Sequence, residues 1–138
     1  DNATADDYLK DEFEEYTLIT KIISTLKTPY YGVVYCVADE DDIIEPATLA
    51  KVGNQLMQMR GVNASFVIGK TGEKEVRISC RSDGSINVQL LAEKLNGGGH
   101  LTMAAGTFKN TTIERVEERL LEVLNDYLNE VRIVKDKN

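Results

Sequence analysis

Three consecutive glycines followed by the chain's single histidine, Gly97-Gly98-Gly99-His100, are the stretch with the most capacity for chemistry. Glycine costs of order 1 kcal/mol relative to alanine wherever it sits in regular structure. A fold tolerates that where side chains would be in the way, as when backbone amides close around an anion. His100 adds a donor of adjustable charge. A short helix beginning at His100 would add free amides that favour phosphate. The same residues also read as a plain surface loop with an incidental histidine, and spacing alone leaves both readings open.

Arg81 is the second candidate. In an extended strand Arg77, Ser79 and Arg81 share the face opposite Val76, Ile78 and Cys80. An arginine fork at the end of such a strand can hold two phosphate oxygens, or it can make a surface ion pair. Ser82 and Asn87 can supply further hydrogen bonds. One short predicted helix separates Arg81 from the glycines, which lets both line a single cleft. Groups that would activate a nucleophile are missing. One histidine, no paired-cysteine motif and no Asp/His cluster cannot make a dinuclear metal site. Ser82 has no second histidine or obvious acid for a triad, and no glycine-rich loop ends in Lys-Ser or Lys-Thr. We therefore expect binding residues here, and no catalytic residue, metal ligand or bound cofactor.

The elements that must position these groups follow from periodicity. Leu9, Phe13, Tyr16, Ile19, Ile23 and Leu26 recur at helical spacing, predicting a helix over 5–26 capped by Thr4 and ended by Pro29. The apolar run 31–37 predicts a strand buried on both faces. Pro46 opens a helix over 47–59 with Leu49, Val52, Leu56 and Met59 inward. Alternation over 62–68 and 76–81 around Thr71-Gly72 predicts an antiparallel hairpin. Asn87 caps a helix over 88–95. A last strand is expected near 106–109, then a helix over 112–130 with Thr111 and Glu114 at capping-box spacing. The fold class is α/β, or α+β by some definitions, with a mixed sheet of about four to five strands covered by helices.

The chain has 138 residues, 42% hydrophobic and 28% charged, which suits one domain with its own core. We expect an interdomain linker helix over 1–27 packing on the core, a binding domain over 28–131 and a frayed charged tail over 132–138. The chain opens Asp1-Asn2-Ala3 without a methionine, and we expect an excised domain. Cys36 and Cys80 sit in strand patterns and read as buried free thiols, which favours a reducing compartment. The net charge of −7 comes almost wholly from residues 1–15, leaving the body near neutral. No basic stripe suits long nucleic acid, while a small anion needs only local donors. No stretch is apolar enough to contact or span a membrane.

The segment from Val76 through Arg81, Ser82, Asp83-Gly84, Asn87 and Gln89, followed by Leu95-Asn96-Gly97-Gly98-Gly99-His100-Leu101-Thr102-Met103-Ala104-Ala105-Gly106, resembles the DHH-associated domain of the DHH phosphoesterase family. The stretch Gly61-Val62-Asn63-Ala64-Ser65-Phe66-Val67-Ile68-Gly69 fits the subgroup of membrane-anchored cyclic-di-AMP phosphodiesterases. The resemblance covers about residues 4–130. It implies a DHH-associated domain fold whose partner in cis, a DHH domain absent from this chain, carries a manganese pair, activates water and yields pApA. It implies that Arg81 and Ser82 contact phosphate, that Asn87 supports that loop, and that Gly97, Gly98, Gly99 and His100 line the cleft. It implies a cyclic dinucleotide ligand and a place on the cytoplasmic face of a parent anchored in the cell membrane. This copy departs from the subgroup at Asn96, where glycine is usual, at Cys80, where alanine is common, and at Lys51-Val52-Gly53-Asn54, where Ala-Ala-Asp is the tendency. Other readings are an oligonucleotide (nanoRNA) hydrolase or single-strand exonuclease, an RNA-facing appendage like that of alanyl-tRNA synthetase, and a structural or homodimerising module.

Overall fold

The computed structural model describes residues 2–137, with side chains through 131. Thr4 and Asp7 form a reciprocal capping box, the Thr4 hydroxyl accepting from the Asp7 N–H and the Asp7 carboxylate from the Thr4 N–H, and this starts α1, Ala5–Ile23. The helix ends earlier than its apolar spacing predicts. The hydroxyls of Ser24 and Thr25 donate to the carbonyls of Lys21 and Ile22 (2.6 and 2.7 Å), satisfying the last turn. The freed segment becomes β1, Lys27–Tyr30, which pairs antiparallel with β2, Val33–Val37. Pro29 is accommodated because β1 is a sheet edge, where a missing N–H costs no ladder bond. The turn between them needs Gly32, at φ 77°: a Cβ there would lie 2.1 Å from Asn63 Oδ1.

Next come α2, Pro46–Met57, and the hairpin β3, Ala64–Gly72, with β4, Glu75–Ser82. The tip of this hairpin is Glu73-Lys74 and not Thr71-Gly72. A register shift between Lys70 and Gly72 carries the strand onward, and the Thr71 hydroxyl donates to Glu75 at 2.8 Å. α3, Val88–Glu93, is capped by Asn87, whose side chain accepts from the N–H groups of Gln89 and Leu90. Then come β5, Gly97–Gly99, β6, Met103–Lys109, and α4, Ile113–Lys137, which runs past the expected residue 130. The cap of α4 is Thr112, one position later than expected, with the Arg115 N–H donating to its hydroxyl.

The six strands form one mixed sheet in the order β1-β2-β3-β4-β6-β5. Only β2 and β3 run parallel, joined by α2 as the crossover. Strand alternation sends Val33, Tyr35, Phe66, Ile68, Val76, Ile78 and Cys80 to the face covered by α3 and α4. Val34, Cys36 and Val67 go to the opposite face, under α1 and α2 with Leu49, Val52 and Leu56. Lys27 and the Tyr35 hydroxyl both donate to Glu117 (2.8 and 2.6 Å), tying α4 to the first two strands.

The α/β reading with a helix-covered mixed sheet holds. The sheet is larger than expected because β1 and β5 also join it. In α1 only Ile19 and Ile22 are buried, and Leu9, Phe13 and Tyr16 stay 67–68% exposed. Met59, expected in the core, lies past the end of α2 and is 47% exposed. No helix among the described residues is long and apolar enough to cross a membrane.

Candidate functional site

Helix α2 lies over β3 and β4, but β6 and β5 extend beyond it. Met103 is half exposed and Gly97, Gly98 and Gly99 are exposed. Arg81 stands at the border between covered and open sheet. Its Nε donates to Asn54 Oδ1 on α2 (3.0 Å), and its Nη1 donates to the Cys80 carbonyl (3.0 Å) and the Ser79 hydroxyl (3.4 Å). Gly53 makes this approach possible. Its carbonyl accepts from the buried Ser65 hydroxyl, and a Cβ at Gly53 would press on Arg81 Cγ at 3.4 Å. Burial and the like charge of Arg77 hold the Arg81 guanidinium below its ordinary value, and it stays charged at neutral pH. Among the described residues neither Arg77 nor Arg81 pairs with a carboxylate. Arg81 thus stands at the edge of the open face without a carboxylate partner, and among the described residues its Nη2 amino group makes no hydrogen bond, while Arg77 feels the Glu75 carboxylate without pairing with it.

The glycine run is a strand, not a loop. The Thr107 N–H donates to the Asn96 carbonyl (3.3 Å) and the His100 N–H to the Met103 carbonyl (2.7 Å). Between these, Gly98 is opposite Ala105, and Gly97 and Gly99 are opposite Gly106 and Ala104. Antiparallel ladders alternate bonded and non-bonded pairs. The N–H and C=O groups of Gly97 and Gly99 therefore face outward from the free edge of the sheet. At these two positions a side chain is excluded: a Cβ at Gly97 would lie 1.9 Å from the Ala105 carbonyl oxygen, and one at Gly99 would lie 2.5 Å from that of Met103. Nothing lies within 4 Å of a Cβ at Gly98. Asn96 leads in at φ 58°, a left-handed conformation that asparagine tolerates nearly as glycine does, which accounts for that substitution.

His100 does not begin a helix. It closes β5 before the two-residue turn Leu101-Thr102, so no helix N-terminus adds amides here. The ladder bond instead sets it opposite Met103, and Met103 is opposite Arg81 on the other side. Arg81, Met103 and His100 thus form a row across three strands. The His100 side chain is exposed and makes no hydrogen bond among the described residues.

Ser82 and Asn87 are not brought to this face. Ser82 follows Arg81 and turns inward, donating to the carbonyls of Ile86 (2.7 Å) and Leu101 (3.2 Å) and accepting from the Gly84 N–H. It ties the end of the Arg81 strand to the turn that carries His100. Asn87 caps α3 on the far side of the sheet, its N–H donating to the Tyr127 hydroxyl. Asn54 was not named as a site residue, because its contact with Arg81 spans 27 positions; the sequence marked it only as the end of the Lys51-Val52-Gly53-Asn54 departure from the subgroup.

Asp83 fastens the intervening turn. Hydrogen bonds from Ser85 and from the Asn63 amide hold its carboxyl at about 2. A lowered folded-state value contributes stability that is present above the unfolded value and lost as pH falls from about 4 toward 2. Thermal melts of Asp83→Ala and the unsubstituted chain should therefore differ most near neutrality and converge by about pH 2.

Cys36 and Cys80 are free, buried and on opposite faces of the sheet, and burial pushes their thiols up to about 11 and about 12. A manganese pair does not fit this donor set, since no three of His, Cys, Asp or Glu cluster among the described residues.

Residues 30–130 match the model of the DHHA1 domain family. The cyclic-di-AMP phosphodiesterase GdpP of Geobacillus thermodenitrificans is 36% identical over 86% of this chain and 18% of its own length. The cyclic-di-AMP phosphodiesterase PdeA of Listeria monocytogenes is 34% identical over 92% of the chain and 19% of its own. This chain thus spans about a fifth of the length of these relatives. Among solved structures, an exopolyphosphatase-related protein from Bacteroides fragilis shares the fold, with TM-score 0.71, 23% identity, and coverage of 94% of this chain and 41% of that one.

Proposed function

Because this chain belongs to the DHHA1 domain family, we propose that it is the substrate-gripping domain of a phosphodiesterase that hydrolyses cyclic-di-AMP to pApA. The observation that carries this reading is the row Arg81–Met103–His100, which runs from the rim of α2 onto the uncovered part of the sheet, beside outward amides and with no carboxylate paired to Arg81 among the described residues. In this reading Arg81 and His100 bind phosphate oxygens, and the Gly97 and Gly99 amides border the same face. Gly98 keeps the face bare so that the ligand can approach it. Ser82 and Asn87 act behind the sheet as positioning residues: Ser82 holds the His100 turn against the Arg81 strand, and Asn87 starts the helix that returns the chain between them.

Fixed donors aimed where phosphate charge develops lower a barrier only when something else supplies the nucleophile. In this reading this chain supplies none. In the same reading the hydrolytic centre, with manganese as its metal, belongs to a DHH domain of the parent polypeptide, on the cytoplasmic face of a membrane-anchored protein. The near-neutral body argues against long nucleic acid as the substrate.

The test sets this chain beside its intact parent, both with manganese, against cyclic-di-AMP, pApA and short RNA. The expected result is no hydrolysis by this chain alone and a preference for cyclic-di-AMP in the parent. Manganese-dependent hydrolysis by this chain would overturn the division of labour. Preference for short RNA in the parent would move the assignment to an oligonucleotide hydrolase.

A further inference from the structure

We infer, resting on the phosphate-gripping reading above, that Arg81 and His100 hold two different phosphates of one dinucleotide, with Met103 beneath the sugar between them. The spacing of the row carries the inference. Arg81 is opposite Met103, whose carbonyl accepts from the His100 N–H, so two strand spacings separate Arg81 from His100. That is roughly 10 Å between backbones. The Arg81 side chain does not close the gap. Its Nε donates to Asn54 on α2 and its Nη1 to the Cys80 carbonyl and the Ser79 hydroxyl, so these bonds anchor the fork over its own strand β4. The oxygens of a single phosphate lie much closer together than this interval. Successive phosphates of a nucleotide chain are separated by a whole ribose, which matches it better.

The surface between the two points agrees. Met103 fills it with an apolar thioether that offers phosphate no donor, is 52% exposed, and suits a sugar edge or base. Beyond Met103 along the same face come Ala105, a methyl group, and Gly98, where the space is open. The face is thus shaped as two polar points around a low apolar floor. A ligand with one phosphate engages one point at a time, while a dinucleotide engages both and gains from the second contact being intramolecular.

Calorimetric titration of this chain with linear pApA and with AMP tests the assignment, using Arg81→Ala, His100→Ala and the double variant, each with a melting curve as a folding control. The expected result is that each single substitution weakens pApA binding about tenfold. The double variant then loses about the product, near a hundredfold, because the contacts are independent. AMP loses little from either single substitution, since the other point remains. A double variant no weaker than the worse single one, with AMP affected as strongly as pApA, would mean that both residues grip one phosphate and would overturn the inference. A loss on Arg81→Ala with none on His100→Ala overturns it too, while leaving the gripping role intact. Unchanged pApA affinity in both single variants removes the gripping role itself.

Discussion

Arg81→Ala in the intact parent is expected to lower kcat/KM for cyclic-di-AMP by about 10²–10³-fold, with only a small change in the stability of this domain. The two effects separate because of where Arg81 stands. Its guanidinium sits at the rim of α2, half-buried, holding Asn54 and a backbone carbonyl but no carboxylate. Truncation therefore strands no buried charge, and the hydrogen bonds lost are worth about 1 kcal/mol in total, a few degrees of melting temperature. The phosphate loses a charge-assisted fork that a neutral donor does not replace. Arg81→Lys should fall between the two, since it restores the charge without the planar fork. Steady-state kinetics on the parent, paired with melts of this chain, provide the check. A parent in which Arg81→Ala and His100→Ala both turn over normally ends the assignment. A rise in KM with kcat intact would assign Arg81 to ground-state binding alone.

How much of this was legible in the sequence depends on how local each contact is. The β3–β4 hairpin was readable because Ala64, Phe66 and Ile68 alternate against Val76, Ile78 and Cys80, and alternation is a property of the strand itself. The same rule placed Arg77, Ser79 and Arg81 on one face. The two edge strands were not readable, for opposite reasons. Lys27–Tyr30 contains a proline that mimics a helix stop, and Gly97–Gly99 has no side chains to show a period. The stripe on α1 misled because apolar spacing says only that a helix has a face. It does not say that the face is covered, and Leu9, Phe13 and Tyr16 are not. The row from Arg81 to His100 depends on β6 inserting between β4 and β5, a sheet order that no local pattern encodes.

The glycine strand yields the second large effect, and it is a contrast between neighbours. Gly97→Ala puts a methyl group into the Ala105 carbonyl and within 2.6 Å of Gly106 Cα, both backbone atoms of the paired strand. Backbone does not rotate aside, so β5 must leave its partner, at a cost of about 2 kcal/mol or more. The Cβ of Gly98→Val meets nothing within 4 Å, and the substitution places a β-branched residue in a strand, where it is at least as well suited as glycine. Its stability should be equal or slightly higher. Its side chain nevertheless stands on the open face beside Ala105 and Met103, on the floor that the ligand is proposed to occupy. Gly98→Val should therefore keep its melting temperature and lose at least about tenfold in pApA affinity, the scale of a sterically blocked contact. Gly97→Ala should lose both. An incidental glycine loop predicts neither pattern, since in a loop the two substitutions would be interchangeable. If Gly98→Val binds pApA as the unsubstituted chain does, the ligand does not lie on this face, and the outward amides of β5 border something else.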